Sequence, residues 1–216
     1  MCKMKFDYVI KRSARKSISV RVCFDNSIVV SCPKSCSLEK IERFLNSKSG
    51  WIEKHIQKNK QVFDRFNDVI EGRAVLVKGV AVPLRTGDKN YLGEEEVVLT
   101  SPNKIKSVFV RYLSGEFLDL FKDISDRIKL CSSKVSFRSY KSRWGCCDRK
   151  GEITFNYKIL MLPKDLWVYV IVHELCHTVH MNHSSAFWNC VAAYLPDYKS
   201  LIKKIKQYSF VCPMYC

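Results

Sequence analysis

The segment HELCHTVHMNHSSAFW, residues 173–188, holds four of the chain's five histidines beside one glutamate. HELCH is the pattern H-E-x-x-H. On a helix, residues four apart differ by about 40° of rotation and about 6 Å of rise. His173 and His177 therefore point the same way from adjacent turns. Two imidazoles so placed can both reach one zinc ion at about 2.1 Å. Glu174, next to the first of them, is placed to take a proton from water that such an ion acidifies.

A catalytic zinc wants a third protein ligand and an open fourth position. His180 and His183 are the candidates. On an unbroken helix His183 would lie about 15 Å along the axis from His173 and face elsewhere. His180 would face about the right way but sit about 10 Å along, too far to share one ion. The helix must therefore end soon after His177, and the chain must turn back. Asn182 is the expected turning residue, because asparagine tolerates left-handed geometry. Ser184 then caps a new helix starting near Ser185. This reading favours His183 as third ligand and leaves His180 beside the ligands or facing substrate. The plain alternative is chance: a three-letter pattern recurs, and a histidine on a buried helix is often a satisfied core residue. The strong helical pattern, with a further histidine after its end, weighs against chance.

The chain resembles the YgjP-like zinc metallopeptidases. That family pairs an R-W-G-S-C segment with H-E-x-x-H and a later N-H-S-x-x-F-W. Here stand Arg143-Trp144-Gly145-Cys146-Cys147, then His173 to His177, then Asn182-His183-Ser184 with Phe187-Trp188. The N-terminal hairpin, the proline after it and GWIEKHI also look like family features. The resemblance implies a zinc peptidase with one Zn2+ per chain on His173, His177 and His183, and Glu174 as catalytic base. Cys146 departs from the usual serine; Cys147 matches. A more distant, fold-level likeness is to the SprT-like proteases, which act near DNA.

The segment before the zinc helix has a reading of its own. A strand there can offer its free edge to an extended peptide. Gly145 permits close backbone approach, Arg143 offers a forked donor, and Trp144 is either a substrate contact or a core anchor. Arg143, Trp144, Gly145 and His180 are thus candidates for contact with substrate. Phe187 and Trp188 read as packing, and the isolated His55 as a surface or packing residue.

The elements that must position these groups follow from periodicity. Alternation at Tyr8 and Ile10, again at Ile18 to Phe24, and SIVVSC mark strands, with Asp25-Asn26 a hairpin turn. Pro33 closes the third strand. Ser37 caps a helix with Leu38, Ile41, Phe44 and Leu45 on one face. Gly50 is expected to break it before a short helix, WIEKHIQK. AVLVKGVAVPLRT reads as a hairpin about Lys78-Gly79, and EEEVVLT as a strand. Ile105 to Leu130 is a long helix that Gly115 is expected to kink or split. KVSFRSYKSRWGCC and GEITFNYKIL are read as a strand pair joined by DRKG. Pro163 is expected at the first position of the zinc helix. That helix is apolar nearly all round and should be buried. Pro196 separates two last helices.

The expected fold is mixed α+β. Residues 1–100 form a strand-rich N-terminal part, and residues 101–216 a zincin-like part with a small sheet on the HExxH helix. A chain of 216 residues buries roughly 70% of its unfolded surface, so it needs no disulfide staples. The eleven cysteines, irregularly spaced, read as thiols used as small hydrophobes in a cytoplasmic protein. Neither Cys32/Cys36 nor adjacent Cys146/Cys147 suits a tetrahedral site. The longest apolar run, Leu166 to Val172, is far too short to cross a bilayer, so no membrane partner is expected. The charged first twelve residues do not read as a signal segment.

The net charge is +16, with +9 over residues 1–60 and +5 over residues 131–160. Such a field favours anionic partners, nucleic acid or nucleotide among them. Beside a peptide or protein substrate, two other functions therefore stand. One is metal-dependent hydrolysis of a nucleotide phosphoanhydride. The other is a basic, zinc-stabilised module that binds nucleic acid. The sequence leaves the oligomeric state open.

Overall fold

A computed structural model of the chain describes residues 6–215. Its fold is mixed α+β. Contacts group into two units, the first ending at Asn67 and the second beginning at Asp68. The reading of the N-terminus as carrying no signal segment rests partly on residues 1–5, outside the described residues.

The first unit holds a three-stranded sheet of β1 (Tyr8–Ser13), β2 (Ser19–Val22) and β3 (Ile28–Pro33), with β3 central. β2 and β3 form the antiparallel hairpin expected from Asp25-Asn26, and β1 lies parallel to β3. Asn26 takes φ 62° in that turn. Alternate residues Ile28, Val30 and Cys32 face Ile41 and Leu45 of α1 (Leu38–Ser47) and Ile52 of α2 (Ser49–Ile70). Ser37 caps α1, its side chain accepting from the Lys40 N–H. The helix ends at Lys48 rather than Gly50, which lies inside α2. A methyl group at Gly50 would meet nothing within 4 Å. Glycine there costs helix propensity of about 1 kcal/mol and no more.

In the second unit, β4 (Ala74–Val77) and β5 (Val80–Thr86) form the expected hairpin. Lys78 and Gly79 both take positive φ, 50° and 89°, as a two-residue turn of this type requires. β6 (Tyr91–Leu92) and β7 (Val97–Leu99) complete a sheet of order β4-β5-β7-β6. These strands fall before residue 100 and group with the second unit. The helix α3 (Ile105–Ile128) runs through Gly115 without a break. Its inward residues Phe109, Phe117, Phe121 and Ile124 are buried.

The stretch expected to be one strand before DRKG holds two: β8 (Lys134–Arg138) and β9 (Gly145–Cys147), flanking β10 (Glu152–Asn156). β8 runs parallel to β10, and β9 antiparallel. The DRKG turn joins β9 to β10. There the Asp148 carboxylate accepts from the Lys150 and Glu152 N–H groups, and Gly151 takes φ 74°. The polar residues between β8 and β9 form the bend that leaves β9 on an edge.

Phe117 of α3 packs edge-on against Phe137 of β8 and Phe155 of β10. On the same core lies α4 (Lys164–Cys176), which carries HELC; Pro163 sits one residue before it, as its cap. Trp167, Ile171 and Leu175 are fully buried, as the all-round apolar pattern predicted. α5 (Ser185–Tyr194) and α6 (Tyr198–Lys206) follow, separated at Pro196. Among the described residues, no helix is long and apolar enough to cross a membrane.

Candidate metal centre and active site

The helix α4 ends where the ligand argument requires. His177 is its C-cap, and the His177, Thr178, Val179 and His180 N–H groups close tight turns onto α4 carbonyls. The chain then reverses and enters α5 at Ser185, with Ser184 in the cap position. Asn182 does not take the expected left-handed conformation; among the described residues it is absent from those with positive φ. Its side-chain oxygen instead accepts from the Ser184 N–H at 3.3 Å. That side-chain turn redirects the backbone without αL geometry.

The reversal brings three imidazoles together. His183 Nε2 lies 3.1 Å from His173 Nε2. One ligand nitrogen from each of His173, His177 and His183 falls within 4.8 Å of the others. His177 Nδ1 is 2.9 Å from the His180 carbonyl oxygen. A proton on that nitrogen donates to the carbonyl and leaves the Nε2 lone pair free. His180 thus meets the cluster through its backbone rather than its ring.

Phe187, fully buried, lies beneath all three rings: stacked on His177 at 4.4 Å, edge-on to His173 at 4.9 Å and to His183 at 4.8 Å. Trp188 stacks on His183 at 5.6 Å, and Tyr198 stacks on Trp188 at 5.3 Å. The two aromatics read as packing do pack, and what they pack against is the histidine cluster.

The protonation state of the histidines favours cation binding. Burial, then the neighbouring His177 and His183, push His173 down to about 3. Burial also lowers His177. Neutral imidazoles present lone pairs, which a divalent cation can accept without displacing protons. Two nitrogens 3.1 Å apart in a half-buried site, with a third nearby, fit such an ion.

Glu174 is 4% exposed, and its Oε2 has no hydrogen-bond partner among the described residues. Burial pushes its carboxyl up to about 8, partly offset by the positive Arg143. Glu174 and the three histidines share a cavity of about 420 Å³. Arg143, Trp144, Gly145, Cys146 and Cys147 form one wall; Tyr169, Met181 and Ile205 contribute apolar surface. His180 is not among the cavity-lining residues.

The loop before β9 is held from beneath. Asn156, fully buried, donates through Nδ2 to the carbonyls of Tyr140 and Arg143, both at 2.9 Å. Its backbone N–H donates to the Trp144 carbonyl at 2.7 Å. The buried Lys158 ammonium donates to the carbonyls of Tyr140 and Cys212. The Arg143 guanidinium sits 5.5 Å over the Tyr140 ring. Asn156 and Lys158 escaped the sequence reading, although two polar residues interrupting an apolar run were the available sign. Tyr169 was also missed: it precedes His173 by one helical turn and reads there as core.

The sequence profile described as YgjP-like, metallopeptidase domain matches residues 16–208. No curated protein matches the chain. A similar solved structure is the metallopeptidase zymogen of Pyrococcus abyssi abylysin. It is 27% identical over 41% of this chain and 90% of its own, with a TM-score of 0.38. With its profile matched over all but the two ends, the chain belongs to the YgjP-like metallopeptidase family.

Proposed function

We propose that the protein is a zinc-dependent peptidase whose ion is held by His173, His177 and His183. The observation that carries this reading is the convergence of three imidazole nitrogens within 4.8 Å, beside a buried carboxylate oxygen with no partner among the described residues. An ion in that position supplies Lewis acidity towards a carbonyl and acidifies water.

Glu174 accepts the proton of the attacking water and returns it to the leaving amine. Burial raises the proton affinity of this carboxyl, which strengthens it as an acceptor of the water's proton. Gly145 leaves room for the carboxylate. β9 is an edge strand, so an extended substrate can add to its free edge next to Glu174. Arg143 donates to a substrate carbonyl or carboxylate at the cavity wall, and Trp144 bounds the space beside it. His180 acts through its carbonyl on His177. The free thiols of the described cysteines suit a cytoplasmic setting.

The test is metal analysis of the purified chain, with peptides and nucleoside triphosphates assayed side by side. One zinc per chain is expected, with peptide cleavage that Glu174→Gln abolishes. A chain that cleaves triphosphates and leaves peptides intact would sink the peptidase reading. Salt-sensitive nucleic-acid binding indifferent to Glu174→Gln, without cleavage of either substrate, would replace it with a binding function.

A further inference from the structure

Cys176 is the fourth letter of HELCH and the last residue of α4; it is fully buried. Cys190 lies 14 positions later on α5 and is partly exposed. Their sulfurs are 3.2 Å apart, the Cys190 thiol donating to Cys176. A disulfide needs about 2.05 Å, so bonding draws the sulfurs together by only about 1.2 Å. The segment between them carries His177, His183, Phe187 and Trp188.

We propose that a hydroperoxide converts Cys176 and Cys190 to a disulfide, and that this bond straps the segment bearing His177 and His183 onto α4. Cys190, the partly exposed member, meets the oxidant. Its sulfur attacks the peroxide; an S–O bond forms, the O–O bond breaks, and an alcohol or water leaves with the thiol proton. The Cys176 sulfur then attacks the sulfenic sulfur. An S–S bond forms, the S–O bond breaks, and water leaves with the second proton. The two sulfurs together lose two electrons and the peroxide gains them. The 3.2 Å contact holds the Cys176 sulfur in place for the second attack, so proximity supplies the rate.

The bond closes a short loop at its neck, so opening that loop becomes costly. His183, exposed on the loop, then leaves the cluster less readily. This consequence rests on the metal reading of the site; the crosslink itself does not.

The experiment treats the zinc-loaded full chain with hydrogen peroxide, alkylates the remaining thiols and maps disulfides by mass spectrometry. Expected is a Cys176–Cys190 peptide pair, reversed by reductant and absent in Cys190→Ser. Zinc release to a chelator slows about tenfold on oxidation of the wild type and not of the variant. Limited proteolysis within residues 177–189 slows in parallel, which reads the strap without reference to metal. The proposal falls if both cysteines remain alkylatable after the exposed Cys131 is consumed, or if Cys190 pairs elsewhere. A correct crosslink with unchanged proteolysis overturns the strap. Slower proteolysis without bound zinc keeps the strap and overturns the metal reading instead.

Discussion

Gly145 and Glu174 lie so close that a β-carbon on the glycine would come within 2.6 Å of the Glu174 Oε1 and 2.8 Å of its Cδ and Cγ. A side chain at this position of β9 thus fits only if the Glu174 carboxylate shifts. Glu174 is 4% exposed, so the shift is confined to the cavity that it lines.

Gly145→Ala therefore moves the carboxylate without touching a metal ligand. The backbone at Gly145 has no positive φ, so alanine adds no strain of its own. We expect peptide cleavage to fall about 100-fold, the usual cost of an ångström's misplacement. Zinc content and circular dichroism should be those of the wild type. Wild-type turnover in this variant would show that Glu174 is not held by β9.

His183 and His180 should behave oppositely. His183→Ala removes a ring nitrogen from the cluster and lowers zinc affinity by more than about 100-fold, beyond what supporting residues cost. His180→Ala keeps the carbonyl that faces His177 and leaves affinity nearly unchanged. Competition with a chromogenic chelator measures both. Equal losses would return His180 to the ligand set.

That pair also shows how far the sequence could be read. The spacing of His173 and His177, taken with helical pitch, required the chain to reverse before His183, and it does so at the place expected. The device was misread: Asn182 turns the chain with its side-chain oxygen, a hydrogen bond that residue type alone does not distinguish from αL geometry. Gly50 and Gly115 are expected to break helices, yet Gly50 sits in the first turn of α2, which kinks only at Phe66, α3 runs on through Gly115, and both glycines face open space. Packing of the flanking turns outweighs a propensity cost of about 1 kcal/mol each. Asn156 and Lys158 could not be placed at all. Their task is to hold carbonyls 13 to 18 residues upstream and, for Lys158, at Cys212, which depends on β8 and β9 flanking β10. Periodicity reports which residues face a core, not which strands become neighbours.

Stripped of metal, the protein should be most stable at about pH 6.5. His173 binds its proton only near pH 3 when folded but near 6.5 when unfolded. Its contribution is present above about pH 6.5 and lost as pH falls below it. Glu174 holds its proton up to about pH 8 when folded but only to about 4.3 when unfolded. Its contribution is therefore lost as pH rises from about 4.3 through 8. Between about 4.3 and 6.5 the slopes of His173 and Glu174 oppose each other. His177, also lowered by burial, tips the balance towards stability rising with pH. Above about 6.5 the glutamate limb remains. Urea unfolding of the chelated protein should show a loss of about 2 kcal/mol from pH 6.5 to 8. Glu174→Gln should flatten that alkaline limb and keep the acidic one. A limb that persists in the variant would assign it to another group.

Phe187 separates packing from support of the metal. It touches all three imidazoles and is fully buried. Phe187→Leu keeps an apolar side chain and removes the flat surface on which the His177 ring rests. The lost volume should cost about 1–2 kcal/mol of stability. If the ring only fills space, zinc affinity per folded molecule stays where it was. If it also fixes the angle at which His177 and His183 present their nitrogens, affinity falls about 10- to 100-fold, as for partners that orient ligands. We expect the second outcome, because the stacked ring at 4.4 Å and the two edge contacts constrain three ligands through one side chain. Zinc titration at a urea concentration where both proteins stay folded separates the two effects.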